Sequence, residues 1–362
     1  MNVLHLQLTG NPGGVVVLCR DIANNSANTN YMYFMLKGGI IADDMEKDGT
    51  PVVVAAADRF RWKKSKKDLI DFCRKNEIDV IVSHANAPMV ISHALAVKRE
   101  LPKTKIVMYL HSAAENGLGK GKRRIIIWPF IYMLRKRADL IVAISEFVKN
   151  SYMEAWGKKY PIEVVYNGVD SNKILTHENN YESESMELIY TGRLFDAKGI
   201  NLLIEAIGML DATIPVHLSI VGDGPGREKY EQMAKDLGVY SKVDFWGSRN
   251  DVPIFLSKAH FFVHPAICNE GFGITLAEAL MAGVPCVAFR KGAIPELIED
   301  RVNGYIVDEI TPSALSKKIE ECYGLFRDTK NYKTMVENAK RSAYRFEICK
   351  VVDRLEGLMN DL

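Results

Sequence analysis

Two carboxylates set eight positions apart raise the question of chemistry. They are Glu270 and Glu278 in NEGFGITLAEALMAGVPCVA, residues 269–288, with Gly271-Phe272-Gly273 between them. Glycines ahead of a helix let backbone N–H groups approach a ligand closely and point at an anion. A carboxylate before the helix and another inside it would flank that anion and accept from hydroxyl groups on either side. Thr275-Leu276-Ala277-Glu278 also matches a capping box, which would give Glu278 a structural task instead. Two cations supply complementary charge. Arg193 and Lys198 lie in TGRLFDAKG, residues 191–199, after a strand-like run. There Arg can fork onto phosphate oxygens while Lys acts as a point charge. An isolated pair of this kind is equally what a solvated surface loop contains. Taken with the two glutamates, it reads as a diphosphate between hydroxyl-rich groups.

Positioning such a site requires strands that end in turns. In residues 1–170 the short β-branched runs are VLHLQL, PVVVAAA, DVIVSH, KIVMYLH, DLIVAIS and IEVVYNGV; later come ELIYTGRL, VHLSIVGDG, KVDFWG, HFFVHPA, PCVAF and GYIVDE. Amphipathic helical patterns such as GREKYEQMAKDLG separate them, the signature of parallel sheets covered on both faces. Six strands per half predict an α/β chain of two Rossmann-like domains, joined near SNKILTHENNYESES, residues 171–185. Many of the runs end in Gly, His, Ser or Asn, among them His84, His111, Gly192, Gly222 and His264. In open α/β sheets ligands bind beyond those carboxyl ends, so the two edges are expected to face each other across a cleft. VGDGPG at 221–226, with Asp244 downstream, holds part of a dinucleotide fingerprint. Arg227 stands in the third glycine's place, which favours a tight strand-to-helix turn.

The 362 residues are 48% hydrophobic and 25% charged, and fit two domains of a soluble globular protein. No apolar run approaches a bilayer span, and MNVLHLQLTG lacks the basic start of a secretory signal. Six scattered cysteines without a C-x-x-C pair suit reduced thiols in a cytosol. No D-x-D clamp is present, so no bound metal is expected. The net charge of +2 is divided: residues 1–170 carry 25 Lys and Arg against 17 Asp and Glu, and residues 171–362 carry 22 against 28, giving +8 and −6. Such asymmetry suggests an anionic partner for the first half, if it is more than chance clustering of solvated side chains.

HPAICNEGFGITLAEALMAGVPCVA, residues 264–288, closely resembles the retaining glycosyltransferases of family 4, which have the GT-B fold. The likeness extends along essentially the whole chain. It is carried by Gly13-Gly14-Val15, His111, Ser145-Glu146, Asn167-Gly168-Val169-Asp170, Gly192-Arg193-Leu194 with Lys198-Gly199, Val221-Gly222-Asp223-Gly224-Pro225, Phe245-Trp246-Gly247 and Ile294-Pro295-Glu296. The resemblance implies a domain at 1–170 that binds the acceptor, a domain at 171–340 that binds the nucleotide sugar, and a helix at 341–362 packing back on the first. It implies a nucleotide-sugar donor, UDP-linked, and a glycan or lipid-linked acceptor, with no cofactor, no metal and no nucleic acid. Arg193 and Lys198 would neutralise the diphosphate. Glu270, Gly271 and the backbone of Phe272, Gly273, Ile274 and Thr275 would hold the sugar, and Glu278 the ribose. Gly247-Ser248-Arg249 would lie near the base. Gly14 would bring backbone close to the phosphates on domain closure, and His111 would position a sugar hydroxyl. Two places depart from the family pattern: Lys291-Gly292-Ala293, where a second glycine is common, and His111 in YLHSAAE, where a histidine-glycine pair is common.

Breaking the sugar–phosphate bond builds negative charge on the leaving diphosphate, which Arg193, Lys198 and helix N–H groups would meet without a metal. Two other activities fit the same plan. A nucleotide-sugar epimerase or isomerase would turn over donor with no acceptor present, and a non-catalytic nucleotide-sugar-binding protein would show a damaged motif. The basic segments RFRWKKSKK and KGKRRIIIWPFIYMLRKR stand out in the first half. Lys120, Lys122, Arg123 and Arg124 before an apolar core with Trp128 suit the surface of an anionic membrane. An ordinary buried helix with charged ends is the competing reading, and Pro129 interrupts any straight amphipathic helix. The family resemblance favours the membrane, hence a cytoplasmic enzyme held peripherally at its inner face.

Overall fold

The computed structural model describes every residue except 12, 57–61, 85, 119–120, 158–159 and 178–182, and residues 122–124 without their side chains. The chain divides into two compact units, Met1–Gly168 with Ile348–Leu362, and Val169–Glu347.

The first unit is built on a seven-stranded sheet. Its strands are β1 (Asn2–Thr9), β2 (Thr29–Lys37), β3 (Val52–Val54), β4 (Val80–Ser83), β5 (Lys105–Leu110), β6 (Leu140–Ala143) and β7 (Glu163–Val164), in the order β3-β2-β1-β4-β5-β6-β7. Every pairing is parallel, as continuous apolar runs such as VIVS, buried along their whole length, require. The strand absent from the six expected runs is β2. TNYMYFMLK mixes Asn, Tyr and Met and lacks a β-branched run, yet Met32, Tyr33, Phe34 and Met35 are all buried. The helix Ile348–Asn360 completes this unit. Ser26 hydrogen-bonds Glu356, Arg354 meets Glu163 at 3.0 Å, and Gly168 lies so close to Ile348 that no Cβ would fit.

In the second unit β8 (Met186–Thr191), β9 (Val216–Val221), β10 (Val243–Gly247), β11 (Phe261–His264), β12 (Cys286–Phe289) and β13 (Gly304–Val307) pair in parallel in the order β10-β9-β8-β11-β12-β13. These are the six runs expected from the sequence. Helices 200–209 and 312–327 pack on a core of Leu188, Tyr190, Leu203, Ile204, Phe261 and Leu315. The chain order reverses between β8 and β11 here, and between β1 and β4 in the first unit. Such switch points open a crevice at the carboxyl ends of the strands, where α/β sheets bind ligands.

Candidate active site

At the carboxyl edge of the second sheet, three loops are joined backbone to backbone. Gly192 N–H donates to Val221 O at 3.0 Å, Gly222 N–H to Gly247 O at 2.8 Å, and Leu194 N–H to Asp223 O at 2.9 Å. Gly222 has φ +147° and leaves no room for a Cβ against the Gly192 carbonyl, so only glycine lets the loops close to this distance. VGDGPG is thus a tight turn into the helix Arg227–Asp236. Arg227 ties that helix to Phe245 O at 3.2 Å and pairs within it with Glu231 at 2.8 Å. Asp244, downstream of that turn, faces His217 at 3.0 Å from within β10.

A second set of contacts places the charged side chains. After β8 the chain makes a short turn, Asp196–Lys198, closed by Gly199 with φ +69°. Ala197 O accepts from Ile267 N–H at 3.1 Å and Cys268 N–H at 3.3 Å, tying the loop after β11 to the loop after β8. That link brings Lys198 Nζ onto Glu270 Oε1, 72 residues away in the chain. His264, at the end of β11, reaches the same oxygen through Nε2 at 3.3 Å. A carboxylate only accepts, so this nitrogen carries the proton. Burial pushes the Glu270 carboxyl up, but the hydrogen bond and charge of His264, joined by Lys198, outweigh it and hold the group down to about 2. Ala293 N–H caps the Glu270 carbonyl at 2.9 Å, and Gly292 packs against the Glu270 backbone. The Lys291-Gly292-Ala293 loop therefore props Glu270 from behind.

The helix Ile274–Ala282 starts from Gly273, φ +96°, with no side-chain cap and no acidic residue in its first turn. Leu276 N–H and Ala277 N–H turn back to the Gly273 carbonyl at 3.0 and 3.1 Å, which leaves the N–H groups of Ile274 and Thr275 without an intrahelical partner. The Thr275–Glu278 capping box is not formed, because glycine in the left-handed region takes the cap position ahead of Thr275. Glu278 lies one turn further in, partly buried. Phe272 is buried and packs edge-on against Phe346 at 5.1 Å, so only its backbone faces a ligand. Arg193, directly after Gly192, is exposed and makes no ion pair among the described residues. Beyond Gly247 and Ser248, the Arg249 guanidinium forks onto Asp251 at 2.8 and 2.6 Å.

The structure thus gathers Arg193, Lys198, Glu270, Gly271–Thr275 and Glu278 around the switch point of one unit, while Gly14 and His111 belong to the other. Gly14 is exposed at the first position of the helix Gly14–Asn25, which follows β1. His111 follows β5 and meets His84 through Nε2 at 2.8 Å; burial pushes it down to about 3. The site list drawn from the sequence lacked His264. Its signal was present as a histidine ending a strand six residues before Glu270.

The basic segment of the first unit is one helix, Lys122–Arg137, that runs through Pro129. Ile127, Ile131 and Leu134 are buried, whereas Ile125, Ile126, Trp128 and Met133 are exposed, Ile125 to 74%. Arg135 does not join the basic rim. It is buried, with its guanidinium 5.1 Å from the Tyr132 ring, 5.1 Å from Trp156 and 4.0 Å from Tyr160. Lys120 lies outside the described residues, as do the side chains of Lys122, Arg123 and Arg124. Among the described residues no helix is long and apolar enough to cross a membrane.

Comparison with known proteins adds to this geometry. The family model for glycosyl transferases group 1 matches residues 172–342, and that for glycosyltransferase family 4 matches residues 12–173. The chain is 30% identical over 288 residues to an uncharacterized glycosyltransferase of Methanocaldococcus jannaschii, covering 79% of this chain and 76% of that one. It is 25% identical over 303 residues to the N-acetyl-alpha-D-glucosaminyl L-malate synthase of Bacillus anthracis, covering 81% and 77%. The crystal structure of Anabaena HepE in complex with UDP superposes with a TM-score of 0.87 at 22% identity over 100% of both chains.

Proposed function

We propose, from the premise that this chain belongs to the group 1 glycosyltransferases of family 4 and has their GT-B fold, that it moves a sugar from a nucleoside-diphosphate donor to an acceptor hydroxyl with retention of configuration. The observation that carries the reading is the Lys198–Glu270 pair at the switch point. The same loops carry Arg193, which has no ion pair among the described residues, and a helix start with no side-chain cap. A diphosphate brings two charges to a place that already holds two cations and free N–H groups. It competes for Lys198, and the ammonium that leaves Glu270 frees that carboxylate for a sugar hydroxyl.

In the reaction the C1–oxygen bond breaks and its electrons pass to the diphosphate. Charge develops on oxygens facing Arg193, Lys198 and the N–H groups of Ile274 and Thr275, where oriented donors are worth most. The acceptor oxygen bonds to C1 on the face the diphosphate vacates, and its proton passes to a phosphate oxygen. Glu278 accepts from the ribose, and Gly247-Ser248-Arg249 lies near the base. Protein cations neutralise the leaving group, so transfer proceeds in excess EDTA. UDP as the nucleotide is supported by the HepE complex. The acceptor is a glycan or lipid-linked glycan handled by the first unit. The exposed apolar stripe at Ile125, Ile126 and Trp128, with its neighbouring cations, lies on the cytoplasmic face of an anionic membrane.

The test is a thermal-shift screen of nucleoside diphosphates and their sugars, followed by NMR of the product's anomeric centre. A ligand at 100 times its dissociation constant stabilises by about 2.7 kcal/mol. UDP should raise the melting temperature and the product should keep the donor's configuration. GDP acting in place of UDP would change the donor, and donor turnover without acceptor would point to an epimerase. No shift with any nucleotide would overturn the reading.

A further inference from the structure

Three histidines of the first unit form an unbroken hydrogen-bonded chain under the strand ends. His111 Nε2 meets His84 Nδ1 at 2.8 Å, His84 Nε2 meets His5 Nδ1 at 2.8 Å, and His5 Nε2 meets Asn30 Oδ1 at 2.9 Å. The rings are stacked, with centroids 5.1 Å apart at both steps. His5, His84 and Asn30 are all buried. A network this deep is stable only if every donor faces an acceptor, and that condition fixes where each proton sits.

The direction is set at Asn30. Its Nδ2 donates to Asn28 O at 3.0 Å, so Oδ1 faces His5 and can only accept. His5 Nε2 therefore carries a proton. Burial holds His5 down to about 4 and His84 well below the ordinary imidazole value, so each ring is neutral and has a single N–H. His5 Nδ1 is then a bare lone pair, and His84 Nε2 donates to it. His84 Nδ1 is bare in turn, and His111 Nε2 donates to it. The last atom is His111 Nδ1, left as a bare acceptor, shielded from solvent and without a partner among the described residues.

We infer that Asn30, His5 and His84 are positioning residues that lock His111 in its Nε2-protonated tautomer, so that Nδ1 accepts a hydrogen bond from a hydroxyl of the sugar substrate. The lock itself is a property of the free protein; only the owner of the hydroxyl rests on the glycosyltransferase reading. A fixed acceptor discriminates by chemistry. It binds a group that can donate and rejects a substituent of similar size, such as fluorine, that cannot. It also rules out His111 as an electrophile toward an oxygen, because the locked ring has no N–H to offer there. Cys19 Sγ stands 3.5 Å from His84 Nε2 and accepts from Gln7 at 2.8 Å. These atoms resemble a buried metal cluster, but a proton already lies between the His5 and His84 nitrogens, so they do not present three lone pairs to one ion.

The experiment is long-range proton–nitrogen correlation on full-length protein labelled with nitrogen-15 histidine, with His111 assigned by its loss in His111→Gln. At pH 7 the wild-type spectrum should show His111 protonated at Nε2 and bare at Nδ1. Asn30→Leu should mix the tautomers and lower kcat/KM about tenfold, the scale of one neutral hydrogen bond. Asn30→Asp, which keeps an oxygen facing His5, should restore the single tautomer. A fluorine in place of the recognised hydroxyl should cost wild type a similar factor and cost Asn30→Leu much less. A proton on Nδ1 in the wild type, an unchanged tautomer in Asn30→Leu, or one equivalent of zinc shifting the His5 and His84 signals would each overturn the inference. The wild-type spectrum needs neither substrate nor a folded variant beyond the assignment, so its failure is distinct from failure of sugar transfer.

Discussion

His111 and His264 occupy like positions, each at the end of an inner parallel strand, and each keeps Nδ1 buried without a partner among the described residues. Their surroundings separate them. His111 continues into two more rings, and burial keeps that chain uncharged. His264 shares a carboxylate oxygen with Lys198, and there charge outweighs burial and drives Glu270 down to about 2. One residue type at the carboxyl end of a parallel strand thus serves two kinds of electrostatics, and the partner decides which.

The sharpest way to break this contrast is to remove charge from the second unit. Lys198→Ala or Arg193→Ala should lower kcat at saturating donor about 100- to 1000-fold, on the order of 2–4 kcal/mol of barrier. Near-normal turnover in either variant would strip the charged edge of its part in the reaction.

Acid should separate the two regions by window. Glu270 is held at about 2 against an ordinary 4.5, so its pairing stabilises the fold fully above pH 4.5 and that contribution drains as pH falls toward 2. The whole effect is on the order of 2–3 kcal/mol. In urea, the gap between wild type and Glu270→Gln should be constant from pH 8 to 5 and close below that. His5 and His111 are held at about 4 and about 3 against 6.5. The unfolded chain takes up their protons first, so their contribution is full above pH 6.5 and is lost on the way to 4 and 3. In Trp246→Phe the remaining tryptophans, Trp62, Trp128 and Trp156, all report on the first unit. Their urea midpoint should fall between pH 6.5 and 5, and a flat midpoint would mean that the histidine chain is not held neutral.

A finer division runs through the two glutamates. Calorimetry with UDP should show about tenfold weaker binding for Glu278→Gln, the loss of one charged hydrogen bond. Glu270→Gln should spare UDP or tighten it, because Lys198 is released to the diphosphate, while use of the intact sugar donor suffers. Equal losses would deny the glutamates separate tasks.

The smallest effects belong to the surface helix, at about 1 kcal/mol for each cation near an anionic membrane. The enzyme should sediment with anionic vesicles and not neutral ones, and salt should release it. Changing Lys120, Lys122, Arg123 and Arg124 together to Gln should abolish sedimentation. Arg135→Gln should leave it intact, because that guanidinium lies within its aromatic cage.

Most of the second unit was legible because its strands are short, mainly apolar runs, and four of them, β8 to β11, end in or just before glycine or histidine. β2 escaped because Tyr and Met fill a strand as well as Val does but leave no β-branched signature. Lys198 and Glu270 each stood out as candidates in the sequence, but their pairing was not legible there. It depends on β8 lying beside β11, and pairing order is not written in either segment. The Thr275–Glu278 box, the competing reading of that segment, is set aside because the helix starts one residue earlier, from Gly273. His5 and His84 offered no spacing to read, being 79 residues apart in the chain and joined only by the sheet.

The loops at Gly192, Gly222 and Gly247 are joined by main-chain hydrogen bonds, with Arg227 bracing Phe245 O beside them. None of those bonds is made by the side chain at 193, 248 or 249. Exchanging Ser248 and Arg249, or probing Arg193, therefore leaves the bonds that hold the edge in place. Libraries varied at 248 and 249 should return folded proteins at close to the wild-type rate, and on the proposed function their members should differ in which nucleotide they bind.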